Sequence, residues 1–253
     1  MIDIHSHVVW GLDDGAPSIE DSLRMLRTAS EDGITDIVAT PHANSQYVFQ
    51  PDLLHQRTEE LTRQSEGKPV IHRGCELNFN SDNIGLLMDS PYSYTINAGP
   101  YLLVEFPNFH IGTHTEAILR QLVDAGIVPI VAHPERNPIL LRDLKRLESW
   151  LELGCLTQVT ARSITRGFGG PSHSASLRLL DQGLVHVVAT DAHDTQYRPP
   201  ALSAAYHAVR LGFGEEAADL LFTDNPRLII QGRPLSGGKL MLAGPPQKRW
   251  WKF

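Results

Sequence analysis

The chain has 253 residues and a mass of 28.1 kDa, carries a formal charge of −7, and is 42% hydrophobic and 20% charged. That length suits one barrel-sized domain with a substantial core, and the acidic balance argues against a general nucleic-acid binder, which needs cationic surface for phosphates. Only Cys75 and Cys155 are present, each read as part of a strand. That is no disulfide framework, so a reducing, cytoplasmic setting is expected.

The first apolar run, Ile2–His5, starts at once and leaves no room for a charged leader and a long apolar segment, so no signal peptide is expected. No run reaches 18 consecutive apolar residues, so no membrane span is expected either. The first helix opens at Ser18, an N-cap with Asp21 three residues on, and carries Ile19, Leu23 and Leu26 at helical spacing up to Gly33. Further strands are expected at Asp36–Thr40, Val70–Gly74, Tyr101–Glu105, Val128–Ala132, Leu156–Val159 and Val185–Thr190. Between and after them, helical spacing covers Asp52–Ser65, Thr113–Ala125, Leu140–Leu153, Ser172–Gln182 and Ala201–Leu211, then Glu215–Phe222 and Asn225–Ile230. Several of these helices run into a glycine: Gly126, Gly154, Gly183 or Gly212. Strands alternating with helices predict an α/β protein with a parallel sheet. About seven strands without a glycine-rich fingerprint favour a closed or distorted (β/α) barrel over a doubly wound sheet.

Chemistry in such barrels collects at the C-terminal ends of the strands, and those ends carry the chain's potential ligands. His5 and His7 close the first run; in an extended segment, residues two apart face the same side. Asp191 and His193 repeat that spacing after the last run. His42, Glu76, Glu105 and His133 follow four runs between them, and Asp14 lies in the loop after the first. One histidine after a strand is ordinary, but nine such positions together point to metal. Imidazoles mixed with carboxylates suit divalent Mn, Fe or Zn rather than Mg or Ca. Nine ligands exceed what one ion needs and imply two or three. Ions so held would supply a hydroxide nucleophile and neutralise phosphate oxygens, which points to hydrolysis of a phosphoester first and of an amide second.

Arg136 and Arg198 follow His133 and the Asp191–His193 pair, where a guanidinium fork would bind phosphate and stabilise charge as the catalytic partner of the metals. Neither cysteine opens a cysteine-phosphatase loop, because Ser81 and Ala161 stand where that loop needs arginine. The other histidines (His55, His72, His110, His114, His173, His186 and His207) read as ordinary strand, helix or loop positions, with His110 a candidate for the pocket rim. From Asn225 onward there are six Lys or Arg and no acid; removing those six from −7 leaves −13 on residues 1–224. Residues 233–253 read as a mobile, basic tail. Its Trp250 and Trp251 could touch an anionic membrane or a partner.

The segments DIHSH, DDG, ATPH, GCEL, LLVEF, VAHPER, ATDAH and RPP resemble the polymerase-and-histidinol-phosphatase (PHP) superfamily. Within it they are similar to the bacterial metal-dependent protein-tyrosine phosphatases of capsule and exopolysaccharide operons. The resemblance runs from Met1 to about Ile230 and implies an α/β fold, a distorted (β/α)7 TIM-like catalytic barrel over residues 1–232, with a trinuclear, often Mn-loaded site. Carried over by motif, His5, His7, Glu76 and Asp191 would hold one ion. Glu76, Glu105 and His133 would hold a second, and Asp14, His42 and His193 a third. The implied substrate is phosphotyrosine on the tail of a cognate bacterial tyrosine kinase. One departure is Ala43, where many relatives carry a histidine or basic residue. Two other functions stay open: a small-molecule phosphatase of the same superfamily acting on an ester such as histidinol phosphate, and a non-catalytic, metal-stabilised module that docks on a kinase.

Overall fold

Nine parallel strands alternate with helices in the computed structural model, which describes residues 1–240. The strands are β1 (Ile2–Ser6), β2 (Asp36–Ala39), β3 (His42–Ala43), β4 (Val70–Arg73), β5 (Glu76–Asn78), β6 (Tyr101–Glu105), β7 (Val128–Ala132), β8 (Leu156–Thr160) and β9 (Val187–Ala189). The helices that matter below are α1 (Ile19–Glu31), α2 (Pro51–Gln64) and α3 (Ser81–Asp89), followed by α4 (Thr115–Asp124), α5 (Pro138–Arg142), α6 (Leu144–Glu152), α7 (Ala161–Ile164) and α8 (Gly169–Asp181).

The nine segments occupy seven positions around a ring. β1 pairs with β2 and β2 with β4, while their continuations β3 and β5 pair with each other. β5 then leads through β6, β7 and β8 to β9. A bridge between Ser6 and Ala192, flanked by His7 N–H to Ala192 O at 2.8 Å and Asp191 N–H to His5 O at 2.8 Å, closes the ring. The expected seven-stranded barrel is therefore present. Its distortion comes from two breaks, Thr40–Pro41 between β2 and β3 and Gly74–Cys75 between β4 and β5. Pro41 has no N–H to give a ladder, so a strand cannot run unbroken through it. Beyond the breaks, His42 lies beside Glu76 in register.

Alternation sorts the strand side chains into two cores. Ile37, Leu102, Val104, Val131 and Val188 pack outward with Leu119, Leu122 and Trp150 of the helices. Val38, Leu103, Ile130, Ala132 and Val187 turn inward with Ile4 and Tyr101 and fill the barrel. Burying this much apolar area, at about 25 cal/mol per Å2, is the main stabilisation of the scaffold that holds the site.

Several local expectations need correcting. Cys75 lies in a break and Cys155 just before β8, so neither is inside a strand, and His186 precedes β9. The helix expected over Leu140–Leu153 is two helices, because Asp143 leaves helical geometry and caps α6 by accepting from Arg146 N. Gly212 is inside a helix that ends at Gly214 (φ +98°). The segment after Gly232 is held, not mobile, as far as Leu240. Tyr101 Oη donates to Arg233 O (2.6 Å) and Leu240 N–H to Gly183 O (2.8 Å), at the N-terminal ends of the strands. Trp250, Trp251 and the rest of residues 241–253 lie outside the described residues. No helix among the described residues is long and apolar enough to cross a membrane.

Candidate metal centre

The site is built first by β1. Ile4 belongs to the inner core, yet the next residue, His5, reaches Gln158 and Glu76; a bulge between Asp3 and Ser6 shifts the register there. Bulges re-aim side chains in this way next to active sites. His5 Nδ1–H donates to Gln158 Oε1 (3.0 Å), and its Nε2 stands 3.3 Å from both Glu76 Oε2 and Asp191 Oδ1. His7 repeats the arrangement. Its Nδ1–H donates to Asp13 Oδ2 (2.6 Å) while Nε2 lies 3.4 Å from the same two carboxylates. His193 Nδ1–H donates to Asp191 O (3.0 Å), and its Nε2 is 3.5 Å from Asp14 Oδ1. In all three rings Nδ1 is tied to an acceptor, which orients the ring and turns Nε2 toward carboxylates: Glu76 and Asp191 for His5 and His7, Asp14 for His193. Metal-ligating imidazoles are oriented in this way.

The other strand ends complete the cup. His42 places Nδ1 2.9 Å from Glu76 Oε2 and Nε2 3.4 Å from Asp14 Oδ1. His133 Nε2 lies 2.8 Å from Glu76 Oε1. Glu105 is reached by Asn78 Nδ2 at 3.2 Å. His133 (φ +34°) and Asp191 (φ +54°) are both in the left-handed region, which costs a non-glycine residue about 1–3 kcal/mol and recurs at functional sites.

The donors form three overlapping groups whose ligand atoms lie within 4.8 Å of one another: His5, His7, Glu76 and Asp191; His7, Asp14, His42 and His193; and His42, Glu76 and Glu105. Eight of the nine sequence candidates fall in these groups, and the ninth, His133, lies against Glu76. The second set implied by the resemblance differs in one member, since His42 groups with Glu76 and Glu105, while His133 approaches through Glu76 alone.

These residues fit divalent cations on charge as well as geometry. Asp14, Glu76, Glu105 and Asp191 line a cleft of about 290 Å3 with Arg136 and Arg198, so four carboxylates face two guanidinium groups. Asp13 adds a fifth carboxylate behind His7. Glu76 Oε2 is buried, has no aligned hydrogen bond, and faces His5, His7 and His42 at once. Burial opposes ionisation of Glu76, but the field of His5, the hydrogen bond from His133 and the close approach of His42 hold its carboxyl well below the ordinary range. Asp191 behaves alike: burial opposes its charge, and His5 and Arg136 overcome it. A buried pocket of ionised carboxylates and lone-pair nitrogens binds cations and repels phosphate until cations are added.

Both arginines reach the cleft, and both donate to Asp191 Oδ2, Arg198 at 2.6 Å. Thiol nucleophiles are excluded: burial, reinforced by Glu76 and Asp13, raises the Cys75 thiol well above its usual range, and burial pushes Cys155 up to about 12. His110 is exposed and does not line the cleft.

Sequence reasoning missed four residues. Asp13 is the orienting acid for His7 and also accepts from His42 N and Gly15 N, both at 3.0 Å. Its signal was the tandem Asp13–Asp14, which does not say which acid faces the metal. Gln158 left no more than an alternating polar position in a strand. Asn108 lines the cleft from a loop. Phe168 carries a stack of guanidinium groups, with Arg136, Arg162 and Arg198 at 4.9, 5.7 and 5.8 Å from its ring centre. Gly15, the last residue of DDG, is fixed by a close approach: a Cβ there would sit 2.1 Å from His7 O.

A family described as capsular polysaccharide synthesis, CpsB/CapC, matches residues 1–231. The tyrosine-protein phosphatase YwqE of Bacillus subtilis (strain 168) is 31% identical over 239 residues, 93% of each chain. The tyrosine-protein phosphatase CpsB of Streptococcus pneumoniae is 31% identical over 239 residues, 91% of this chain and 98% of that one. A solved structure from work on YwqE and CpsB as unique metal-dependent tyrosine phosphatases superposes with a TM-score of 0.87 at 30% identity, over 95% of this chain and 99% of that one. With the family pattern matched along the whole barrel, the chain belongs to the CpsB/CapC family of capsular polysaccharide synthesis proteins.

Proposed function

We propose that the chain is a metal-dependent protein-tyrosine phosphatase that hydrolyses the phosphate ester of phosphotyrosine in a protein substrate. In this reading the substrate is the tail of a cognate bacterial tyrosine kinase in the cytoplasm, and dephosphorylation controls capsule or exopolysaccharide synthesis. Residues 1–232 are the catalytic barrel and residues 233–253 its basic, aromatic C-terminal tail. The observation that carries the reading is the convergence of nine N and O donors with two arginines in one cleft.

His5, His7, Glu76 and Asp191 would hold one cation. Asp14, His42 and His193 would hold another with His7 beside them, and Glu76, Glu105 and His133 a third. Two or three Mn ions suit this set best, with Fe or Zn as alternatives. When bound, such cations polarise phosphoryl oxygen and lower the pKa of water to near neutrality. The protein's own groups do the rest. Arg136 and Arg198 bind the non-bridging oxygens through planar forks and stabilise the charge that develops on them. A guanidinium stays charged at working pH, so neither arginine acts as an acid. The departing phenolate, whose conjugate acid has a pKa of about 10, leaves with little proton assistance. Gln158, Asp13 and the Asp191 carbonyl keep the imidazoles in their ligating tautomers throughout.

The test is turnover of a phosphotyrosine peptide by protein stripped with chelator and then reloaded with Mn2+, beside His5→Ala and Asp191→Ala. Activity is expected to vanish on stripping, return on reloading, and be nearly abolished in both variants. Turnover that survives exhaustive metal removal overturns the mechanism, and a clear preference for histidinol phosphate over the peptide overturns the substrate.

A further inference from the structure

The metal cleft is the middle member of a row of three open spaces across the barrel mouth. On one side it shares Glu105 and Asn108 with a groove of about 740 Å3, whose walls include Gln46, Val48, Leu86 and Phe109. On the other it shares His193 with a hollow of about 320 Å3 that includes Arg24, Asp194 and Tyr197. The cleft itself, at about 290 Å3, has room for a phosphoryl group and the small group that carries it, but not for the chain on either side.

The flanks are apolar at their rims. Phe109 is 89% exposed, Val48 77% and Tyr197 76%. Large side chains held in water so close to a polar cleft mark a surface that a partner covers. We infer that the occupant is the polypeptide on either side of a phosphotyrosine, lying extended across the mouth with one flank against Val48 and Phe109 and the other against Tyr197.

Continuity carries the assignment of an occupant. A phosphate placed in the cleft has its attached chain emerging beside Asn108 or His193, directly into these spaces. A small phosphate ester would end inside the cleft and leave both flanks bare. Charge refines the choice. The residues lining the larger groove include no Lys or Arg and do include Asp82 and Glu105, while on the other side Arg24 is paired with Asp21. The flanking peptide is therefore apolar or neutral, and acidic flanks are rejected. The inference rests on the phosphatase reading and specifies how that site selects its protein substrate.

Three substrates test it: p-nitrophenyl phosphate, which needs the cleft alone; a nonapeptide with central phosphotyrosine and leucine two residues to either side; and the same peptide with aspartate in place of leucine. The leucine peptide is expected to exceed the aspartate peptide about tenfold in kcat/KM. In the double variant Phe109→Ser with Val48→Ser, KM for the leucine peptide rises about tenfold while p-nitrophenyl phosphate turnover is unchanged, and Phe109→Tyr keeps the wild-type value. Equal losses on all three substrates, or no loss on the peptide, would overturn the groove. Affinity for the two peptides carrying a non-hydrolysable phosphonate, read by fluorescence anisotropy on Mn-loaded protein, separates this from catalysis. If turnover fails but leucine flanks still bind about tenfold tighter, the groove stands and the phosphatase reading falls. Absence of a flank preference in binding sinks the groove whatever the turnover.

Discussion

Replacing Asp13 by asparagine tests how the chain sets its metal ligands. Asp13 Oδ2 accepts from His7 Nδ1–H at 2.6 Å and from His42 N–H at 3.0 Å, and Oδ1 accepts from Gly15 N–H at 3.0 Å. An amide cannot satisfy all three donors. If its oxygen takes the Oδ2 place, its NH2 meets the Gly15 N–H and one buried donor is orphaned, at a cost of about 1–3 kcal/mol. If its oxygen takes the Oδ1 place, its NH2 faces His7 Nδ1, and the ring proton moves to Nε2, the atom that points at Glu76 and Asp191. The first outcome lowers stability and the second removes a ligand. Losing such a partner typically costs 10- to 100-fold in metal affinity. Calorimetric titration of Mn2+ into the stripped protein is expected to show that weakening, with turnover recovering as Mn2+ is raised. Asp13→Asn with wild-type Mn2+ affinity and wild-type melting temperature would refute the orientation argument.

Phe168→Leu is expected to lower kcat/KM on p-nitrophenyl phosphate about tenfold, the worth of one or two partly desolvated cation–π contacts, and to have no further effect once Arg136 and Arg198 are both lysine; an undiminished effect there would make Phe168 merely structural. Gly15→Ala drives a methyl group into the His7 carbonyl, so thermal melting should show a loss of about 1–3 kcal/mol or more, and an unchanged melt counts against the close approach. Stability should also fall below neutral pH through His186, whose Nδ1 accepts from Thr157 N and whose Nε2–H donates to Gly238 O. Burial lowers its pKa from 6.5 to about 4, so the unfolded chain takes up a proton before the folded one does. The contribution is complete above pH 6.5 and is lost between 6.5 and 4, by about 3 kcal/mol, and denaturant titrations of His186→Gln should lack that component of the slope.

Much of this site was legible because its ligands obey strand periodicity. His5 and His7, and Asp191 and His193, are two apart at the ends of apolar runs; the extended end of β1 brings the first pair together, whereas the second pair is set by a left-handed turn at Asp191 just past β9. Other features left no such trace. Strands β3 and β5 have two and three residues, too short for any alternation to show, and helix α3 follows so closely that its nine residues read as loop. Asp13 differs from Asp14 only in which way the turn at Gly15 aims it, and that turn is a tertiary contact with His7. Phe168 sits in a glycine-rich loop, and nothing local marks it as the surface on which two arginines separated by 62 positions in sequence are stacked. Sequence reports the periodic half of the site, and the folded chain adds the groups that orient it.

Asp191 joins the two kinds of positive charge the chemistry needs. Its Oδ1 faces the Nε2 atoms of His5 and His7, and its Oδ2 accepts from Arg136 and Arg198. One carboxylate thus faces the two imidazoles with one oxygen and the two guanidinium groups with the other. The left-handed backbone at this residue permits both, because it turns the chain sharply while its N–H still bonds to His5 O. A neutral amide at position 191 would slacken both sides at once, whereas loss of either arginine alone would leave the cation side of the carboxylate intact. In the proposed mechanism a single side chain would therefore couple metal binding to phosphate binding, a role that would account for the strained backbone there.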